Sequence, residues 1–204
     1  MCLYRANVGV LDQKLQLLST LESNFKEGAS MAFASECPLV GDSSIGQHYR
    51  HSLDHMALPI KSIGDRCDGV ECDFHYDLRT RGGSFETDIN ASRSRILELK
   101  GTIEDCIEKV DDEIGSSSTG ISDQDVRVHF MLDNEGHEFR FKSNIEREMH
   151  FAMHHAIHHL AIVKIIAINH LGLHLDSLPE GFGKAPSTQK FDSESNMQGV
   201  ISKG

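Results

Sequence analysis

Hydrophobic residues recur every three or four positions along several stretches of the chain, which is the spacing of an amphipathic helix. In residues 8–26 one stripe collects Val8, Leu11, Leu15, Leu18 and Leu21. The second stretch, residues 45–63, follows Ser43 and Ser44, either of which can cap a helix. Pro59 lies inside this stretch and predicts a kink or an early end, because proline cannot donate the backbone hydrogen bond of a helix interior.

Two further stretches predict a third and a fourth helix. The third helix begins at Thr87 or Asp88 and carries an apolar stripe made of Ile89, Ile96, Leu99, Ile103, Ile107 and Val110. The fourth helix begins near residues 143–144 and runs to about Leu171, where Gly172 can end it.

Patterns typical of extended backbone lie between these helices. Residues 70–81 alternate loosely and are interpreted as an extended crossing segment. In residues 125–141, two alternating runs flank a turn at 134–136, which predicts a β-hairpin. The segment GSSSTG at 115–120 is expected to be a flexible linker.

Together these elements predict an all-α fold, a four-helix bundle with a small β-hairpin inserted before the last helix. The chain has 204 residues, enough to bury one sizeable core, so we expect one domain over residues 1–191. Residues 192–204 offer few apolar side chains to bury and are expected to be a disordered tail.

Composition makes some classes of partner improbable. The net charge is −11, whereas contacts to nucleic-acid phosphates need clustered Lys and Arg. No run approaches the roughly 18 apolar residues of a membrane span. The five cysteines are scattered and odd in number, which fits reduced thiols better than a disulfide framework. We therefore expect a cytoplasmic protein that binds neither nucleic acid nor a membrane.

Histidine is the unusual residue of this chain, with 13 copies, most of them in residues 48–55 and 150–174. On a helical wheel of the fourth helix, His155 and His159 fall in the apolar sector, four residues apart. Two imidazoles at that spacing can converge on one ion, whereas a buried imidazole nitrogen without a partner costs roughly 1–3 kcal/mol. A metal site and a hydrogen-bonded histidine core are the two interpretations.

The second helix offers a third ligand, because it carries His48, His51 and His55. Two histidines opposite one histidine would form a three-nitrogen site with open positions, as at catalytic metals. Periodicity does not choose among the three, although His48 and His55 flank the apolar stripe more closely than His51. Six other histidines are expected to be exposed to solvent: His129, His137, His150, His154, His170 and His174.

The segments SIGQHYRHSLDHM and REMHFAMHHAIHHLAIV resemble the DinB-like superfamily, also called the damage-inducible DinB or bacillithiol-transferase-like group. Residues 73–88, DFHYDLRTRGGSFETD, resemble the Y-D-x-R-x-R segment of one uncharacterised branch of that superfamily. Residues 178–188, LPEGFGKAPST, resemble the closing segment of the same branch, so the resemblance spans roughly residues 8–190. It implies a four-helix bundle that holds one divalent metal ion, typically nickel or zinc, by three histidines.

The resemblance also implies which histidines are ligands. The ligand on the second helix is His51, and those on the fourth helix are His155 and His159, with His55 as the alternative to His51. His158 precedes the last ligand and is interpreted either as a residue that supports the ligands or as a surface residue.

Related proteins include thiol-dependent transferases and isomerases that use bacillithiol or mycothiol, so the resemblance implies a stress-response metalloprotein with a small-molecule substrate. We expect a metal-dependent hydrolase or thiol-dependent transferase. The alternative is a non-catalytic structural or binding protein in which a metal, or a histidine core, joins two helices. Asp54, Asp77 and Glu148 are candidate carboxylates, but no residue is assigned as catalytic. Arg79 and Arg81 could bind an anionic substrate, although pairing with the many acidic residues is the favoured interpretation. The resemblance further suggests a homodimer.

Overall fold

The computed structural model describes residues 2–64, 72–78, 82–113 and 124–201. This part of the chain is mostly helical, with a small three-stranded sheet. The helices are α1 (Cys2–Phe25), α2 (Ala29–Phe33), α3 (Ile45–Gly64), α4 (Ile89–Glu113), α5 (Ile145–Ile165) and α6 (Pro186–Ile201), and the strands are β1 (Cys72–His75), β2 (Asp125–Met131) and β3 (Glu138–Asn144). The expected linker at 115–120, together with Arg79 and Arg81, lies outside the described residues.

Capping residues account for where α3 and α5 begin. The Gln47 amide donates to Ser44 Oγ at 3.2 Å, and the Ser44 amide donates to Gln47 Oε1 at 3.1 Å, which is a reciprocal capping box. At the start of α5, Asn144 Oδ1 accepts a hydrogen bond from the Arg147 amide at 2.8 Å. The predicted starts of the second and fourth helices are confirmed.

Helices α1, α3, α4 and α5 enclose one hydrophobic core. Helix α3 packs against α4 and α5, and α1 packs against the same two helices from the other side. Each helix contributes fully buried side chains, for example Leu18, Leu53, Ile103 and Leu160. Burial of one such side chain stabilises the fold by about 1.5–3 kcal/mol.

The sheet has the strand order β1–β2–β3. Strands β2 and β3 are antiparallel, which confirms the predicted hairpin. Strand β1 pairs with β2 in parallel, so the segment predicted as a simple crossing is an edge strand and the fold is not purely α. Helix α4 separates the two parallel strands in sequence, and a pairing between such distant segments leaves no local signal.

Pro59 does not end α3, which continues to Gly64. Ile60 and Ile63 follow the proline and are buried in the core. Their burial compensates for the backbone hydrogen bond that Pro59 cannot donate.

The segment expected to be a disordered tail, residues 192–204, includes part of helix α6. Helix α6 begins with Pro186, a residue favoured in the first helical turn, and continues past Asp192 to Ile201. Lys184 Nζ donates to Asp192 Oδ2 at 2.6 Å. The described side chains of α6 are nearly all exposed, so this helix contributes little to the core.

The cysteines follow the expectation of reduced thiols only in part. Cys37 and Cys106 are buried cysteines that form no disulfide. Cys72 is disulfide-bonded, which contradicts that expectation at this position.

The segment Ile145–His170, which contains α5, is long and apolar enough to cross a membrane by length and composition alone. Half of its most apolar window is buried inside the structure. The core helix of a globular protein meets the same criterion, so this segment is weak evidence for a membrane span.

Candidate metal centre

Helices α3 and α5 bring the two groups of histidines together. Ring contacts join His48 to His159, with centroids 5.1 Å apart, and His51 to His155, with centroids 4.9 Å apart. The later residue on α3, His51, contacts the earlier residue on α5, His155, so the two helices run antiparallel. One face of α3 therefore lies along the histidine face of α5.

His155 lies at the centre of this cluster. Its Nε2 atom is 3.0 Å from His51 Nε2 and 3.2 Å from His159 Nε2. The rings of His51 and His159 also lie beside each other, with centroids 4.6 Å apart. His159 is buried, whereas His51 and His155 are half-buried. The structure thus brings together the three residues that the resemblance names as ligands.

His55 is a further member of the same cluster. Its ring centroid is 4.3 Å from that of His155, and its ring stacks on Tyr76 at 4.9 Å. The ligand atoms of His51, His55 and His155 all lie within 4.8 Å of one another. The geometry therefore brings both His55 and His159 to the pair formed by His51 and His155.

His48 sets the tautomer of His159. Ser43 Oγ donates its single proton to the Val40 carbonyl at 2.7 Å, so at 2.9 Å it accepts from His48 Nε2–H. The neutral His48 ring then accepts at Nδ1, and the Nδ1–H of His159 donates to it at 2.8 Å. With its proton on Nδ1, the neutral His159 ring carries its lone pair on Nε2, the atom beside His155.

Burial keeps His48 and His159 neutral. The pKa of His159 is lowered to about 2, first by desolvation and then by the charges that neighbouring histidines and Lys14 would carry. Desolvation also lowers the pKa of His48, again with a contribution from Lys14. Neutral imidazole is the form that binds a metal ion, so both residues are ready to support coordination at neutral pH.

Lys14 is a second unusual ionisable group beside the cluster. Its side chain is completely buried, and Nζ donates to Ser52 Oγ at 2.7 Å. The ammonium also lies 4.2 Å from the centroid of the Tyr49 ring. Desolvation lowers the pKa of Lys14 to about 7. Because Ser52 follows His51 directly, this amine is anchored next to the α3 histidines.

Glu148 is the candidate carboxylate most closely connected with the cluster. Its side chain is fully buried, accepting hydrogen bonds from the Tyr76 hydroxyl at 2.7 Å and from Ser143 Oγ at 2.5 Å. Tyr76 in turn stacks on His55. Glu148 therefore helps to fix the orientation of one wall of the histidine cluster.

The other two candidate carboxylates have structural partners. Asp54 Oδ2 accepts from Arg50 at 2.7 Å, one helical turn away on α3. Asp77 Oδ2 accepts from the Met131 amide at 2.8 Å and so ties the end of β1 to β2. These contacts account for both residues without a catalytic role.

The remaining histidines for which solvent exposure is considered are exposed, with one exception. His158 is exposed, and so are five of the six histidines expected at the surface: His137, His150, His154, His170 and His174. The sixth, His129, has a side chain only 16% exposed, and its Nε2 lies 2.7 Å from Asp73 Oδ1. The expectation of solvent exposure is therefore wrong for His129.

No protein-family model and no solved structure matches the chain. The chain is similar to a curated protein named FK506-binding protein 5, from the fungus Rhizopus delemar, with 34% identity over 114 residues. The match covers 56% of this chain and 26% of that protein. The chain thus spans about a quarter of the length of this relative, and the match does not show family membership.

Proposed function

We propose that this protein is a DinB-like four-helix bundle that binds one divalent metal ion, nickel or zinc, through His51, His155 and His159. The observation that carries the proposal is the position of His155 Nε2, 3.0 Å from one imidazole nitrogen and 3.2 Å from another.

Hydrogen bonds account poorly for this arrangement. One ring nitrogen offers either a single N–H or a single lone pair, so His155 Nε2 can form one good hydrogen bond and not two. A shared cation accepts all three lone pairs at once. Metal–nitrogen bonds of about 2.0–2.1 Å place neighbouring ligand atoms about 2.8–3.4 Å apart, depending on the coordination angle. The two Nε2–Nε2 distances, 3.0 and 3.2 Å, fall in that interval.

The contacts of the second helix favour His51 over His55 as the third ligand. The His51 ring lies beside both α5 ligands, 4.9 Å from His155 and 4.6 Å from His159. His55 is packed against Tyr76 on one side and is 5% exposed. The tautomer of His159 also supports the proposal, because its hydrogen bond to His48 leaves Nε2 free of a proton.

A metal ion held by three neutral imidazoles keeps its positive charge and can lower the pKa of a bound water or thiol toward about 7. The proposed activity is therefore metal-dependent hydrolysis or thiol-dependent transfer on a small molecule. The half-buried state of His51 and His155 favours a site that a substrate can reach. A structural protein in which the metal joins α3 to α5 is the competing proposal, and a fourth protein ligand would support it.

Elemental analysis of the protein purified without a histidine tag tests the proposal. We expect about one equivalent of nickel or zinc in the wild type and its loss in His155→Ala and His159→Ala. His150→Ala and His154→Ala are matched controls on the exposed face of the same helix and should keep the metal. Comparison of His51→Ala with His55→Ala identifies the α3 ligand. A wild-type protein that binds no divalent ion would refute the proposal.

A further inference from the structure

A second group of ligating side chains lies on the outer face of the sheet. His75 of β1 is paired with His129 of β2, so the two side chains stand next to each other on one face. Glu138 of β3 is paired with Met131, two residues beyond His129, and therefore shares that face. The neighbour of His75, Tyr76, is directed to the core, where it stacks on His55. The group is thus separate from the cluster between α3 and α5.

The three side chains are in contact with one another. Nδ1 of His75 lies 2.8 Å from Oε2 and 3.1 Å from Oε1 of Glu138. The rings of His75 and His129 are stacked, with centroids 4.2 Å apart and planes 18° apart. One ligand atom from each of the three residues lies within 4.8 Å of the other two. They are partly shielded, with side chains 39%, 16% and 19% exposed for His75, His129 and Glu138.

Asp73 orients His129 in the way that a carboxylate orients a metal-binding histidine. Its Oδ1 atom lies 2.7 Å from His129 Nε2, and a carboxylate can only accept. In the neutral imidazole the proton is therefore on Nε2 and the lone pair is on Nδ1. A carboxylate on the far nitrogen also raises the basicity of the ligating one.

We propose that His75, His129 and Glu138 form a second divalent-metal site, with His75 Nδ1, His129 Nδ1 and the Glu138 carboxylate as ligands and Asp73 as the residue that orients His129. The separation of 2.8 Å between His75 Nδ1 and Glu138 Oε2 suits two ligands on one ion, since bonds of about 2.0–2.2 Å at a right angle span about 3 Å. Two imidazoles and one carboxylate are typical ligands of zinc or copper, whereas calcium and magnesium prefer all-oxygen sites.

The contacts that His75, Glu138 and His129 make in the absence of metal oppose metal binding only weakly. Without metal, the Nδ1–H of His75 donates to the Glu138 carboxylate, so the proton must move to Nε2 before Nδ1 can bind a cation. Ion pairs between partly exposed side chains contribute about 0–1 kcal/mol, so replacing this contact by a cation costs little. The stacked rings need to turn so that both lone pairs meet one ion, and the partial exposure of His75 leaves room for that movement. Arg140 is paired with His129 and reduces the negative potential of this face. We therefore expect weaker binding here than between α3 and α5.

Titration of the full-length protein with Zn²⁺, followed by calorimetry and by the histidine ring signals in NMR spectra, tests this site. The wild type should bind one equivalent that shifts the ring signals of His75 and His129 together. That equivalent should be lost in His75→Ala and in Glu138→Gln. Asp73→Asn leaves all three ligands in place and should weaken this equivalent by about 10–100-fold.

Two controls separate this proposal from the alternatives. His137→Ala removes an exposed histidine of the same hairpin, paired with Asp133, and should leave the equivalent unchanged. His159→Ala should also leave it unchanged, because that variant affects only the proposed site between α3 and α5. The proposal is overturned if both ligand variants bind as much Zn²⁺ as the wild type, or if His137→Ala loses the same equivalent.

Discussion

Replacement of Lys14 by methionine should remove most of the pH dependence of stability in the alkaline range. The wild-type side chain is completely buried, with its ammonium on Ser52 Oγ, and its pKa falls from 10.5 to about 7 on burial. Methionine has a similar length and no charge, so it fills the same space without the desolvation cost.

The magnitude follows from the two pKa values. Between pH 7 and 10.5 the unfolded chain keeps the lysine proton while the folded chain has released it, so the unfolded state binds more protons. The free energy of unfolding therefore rises with pH in this window, by up to about 1.4 kcal/mol per unit. Over the interval from about 7 to 10.5 the rise is about 5 kcal/mol at most. Below pH 7 the amine is charged in both states and its cost is fully present.

Urea denaturation at pH 6, 8 and 9.5, followed by circular dichroism, measures this rise. Lys14→Met should be more stable than the wild type at pH 6, and the two curves should converge as the pH increases. Lys190→Met, which removes a side chain that is 77% exposed, should keep the wild-type dependence. A Lys14→Met protein whose stability rises with pH as steeply as that of the wild type would refute the reasoning.

Three further predictions concern the proposed metal site and the packing of the helices. His48→Leu should weaken metal binding by about 10–100-fold in a chelator competition. His48→Gln should retain it, because the amide oxygen can still accept the hydrogen bond from His159 Nδ1–H; equal losses would contradict the proposed role of His48 in orienting His159. Truncation after Lys190 should lower the melting temperature by only a few degrees, and a larger fall would show that α6 packs on the core. Gly46→Ala should cost about 1–3 kcal/mol, because the added Cβ would lie 1.9 Å from the Glu86 carbonyl oxygen. Gly101→Ala has open space and should instead stabilise α4 by up to about 1 kcal/mol, so similar effects of the two would contradict this account.

Helix boundaries could be predicted from the sequence because their signals are local. The capping box of Ser44 and Gln47 and the N-cap Asn144 lie within the turns that they cap. The burial of His159 followed from its place on the apolar face of α5, which depends only on periodicity. The burial of Lys14 has a similar local signal, since Lys14 lies three residues after Leu11 on the apolar stripe of α1.

The group on the sheet could not be predicted, since it depends on contacts between distant segments. His75 and His129 meet only because β1 pairs with β2 in parallel, and neither strand carries a local sign of that register. Viewed singly, His129 lies in an alternating strand with a polar outer face, where solvent exposure is the usual expectation. The pairing with Asp73 and the contact of His75 with Glu138 belong to the tertiary structure.

The ambiguity among His48, His51 and His55 has a geometric cause. Spacings of three and seven residues place the three side chains within an arc of about 60° on one face of α3, so a helical wheel cannot separate them. Height along the helix axis separates them instead. At a rise of 1.5 Å per residue, His48 and His55 lie about 4.5 and 6 Å to either side of the level of His51. His51 is therefore the middle residue, and its ring is the one that lies beside both His155 and His159. His48 contacts the outer nitrogen of His159, and His55 is packed against Tyr76. These separate contacts favour His51 as the ligand from α3, with His48 as the residue that orients the opposite ring.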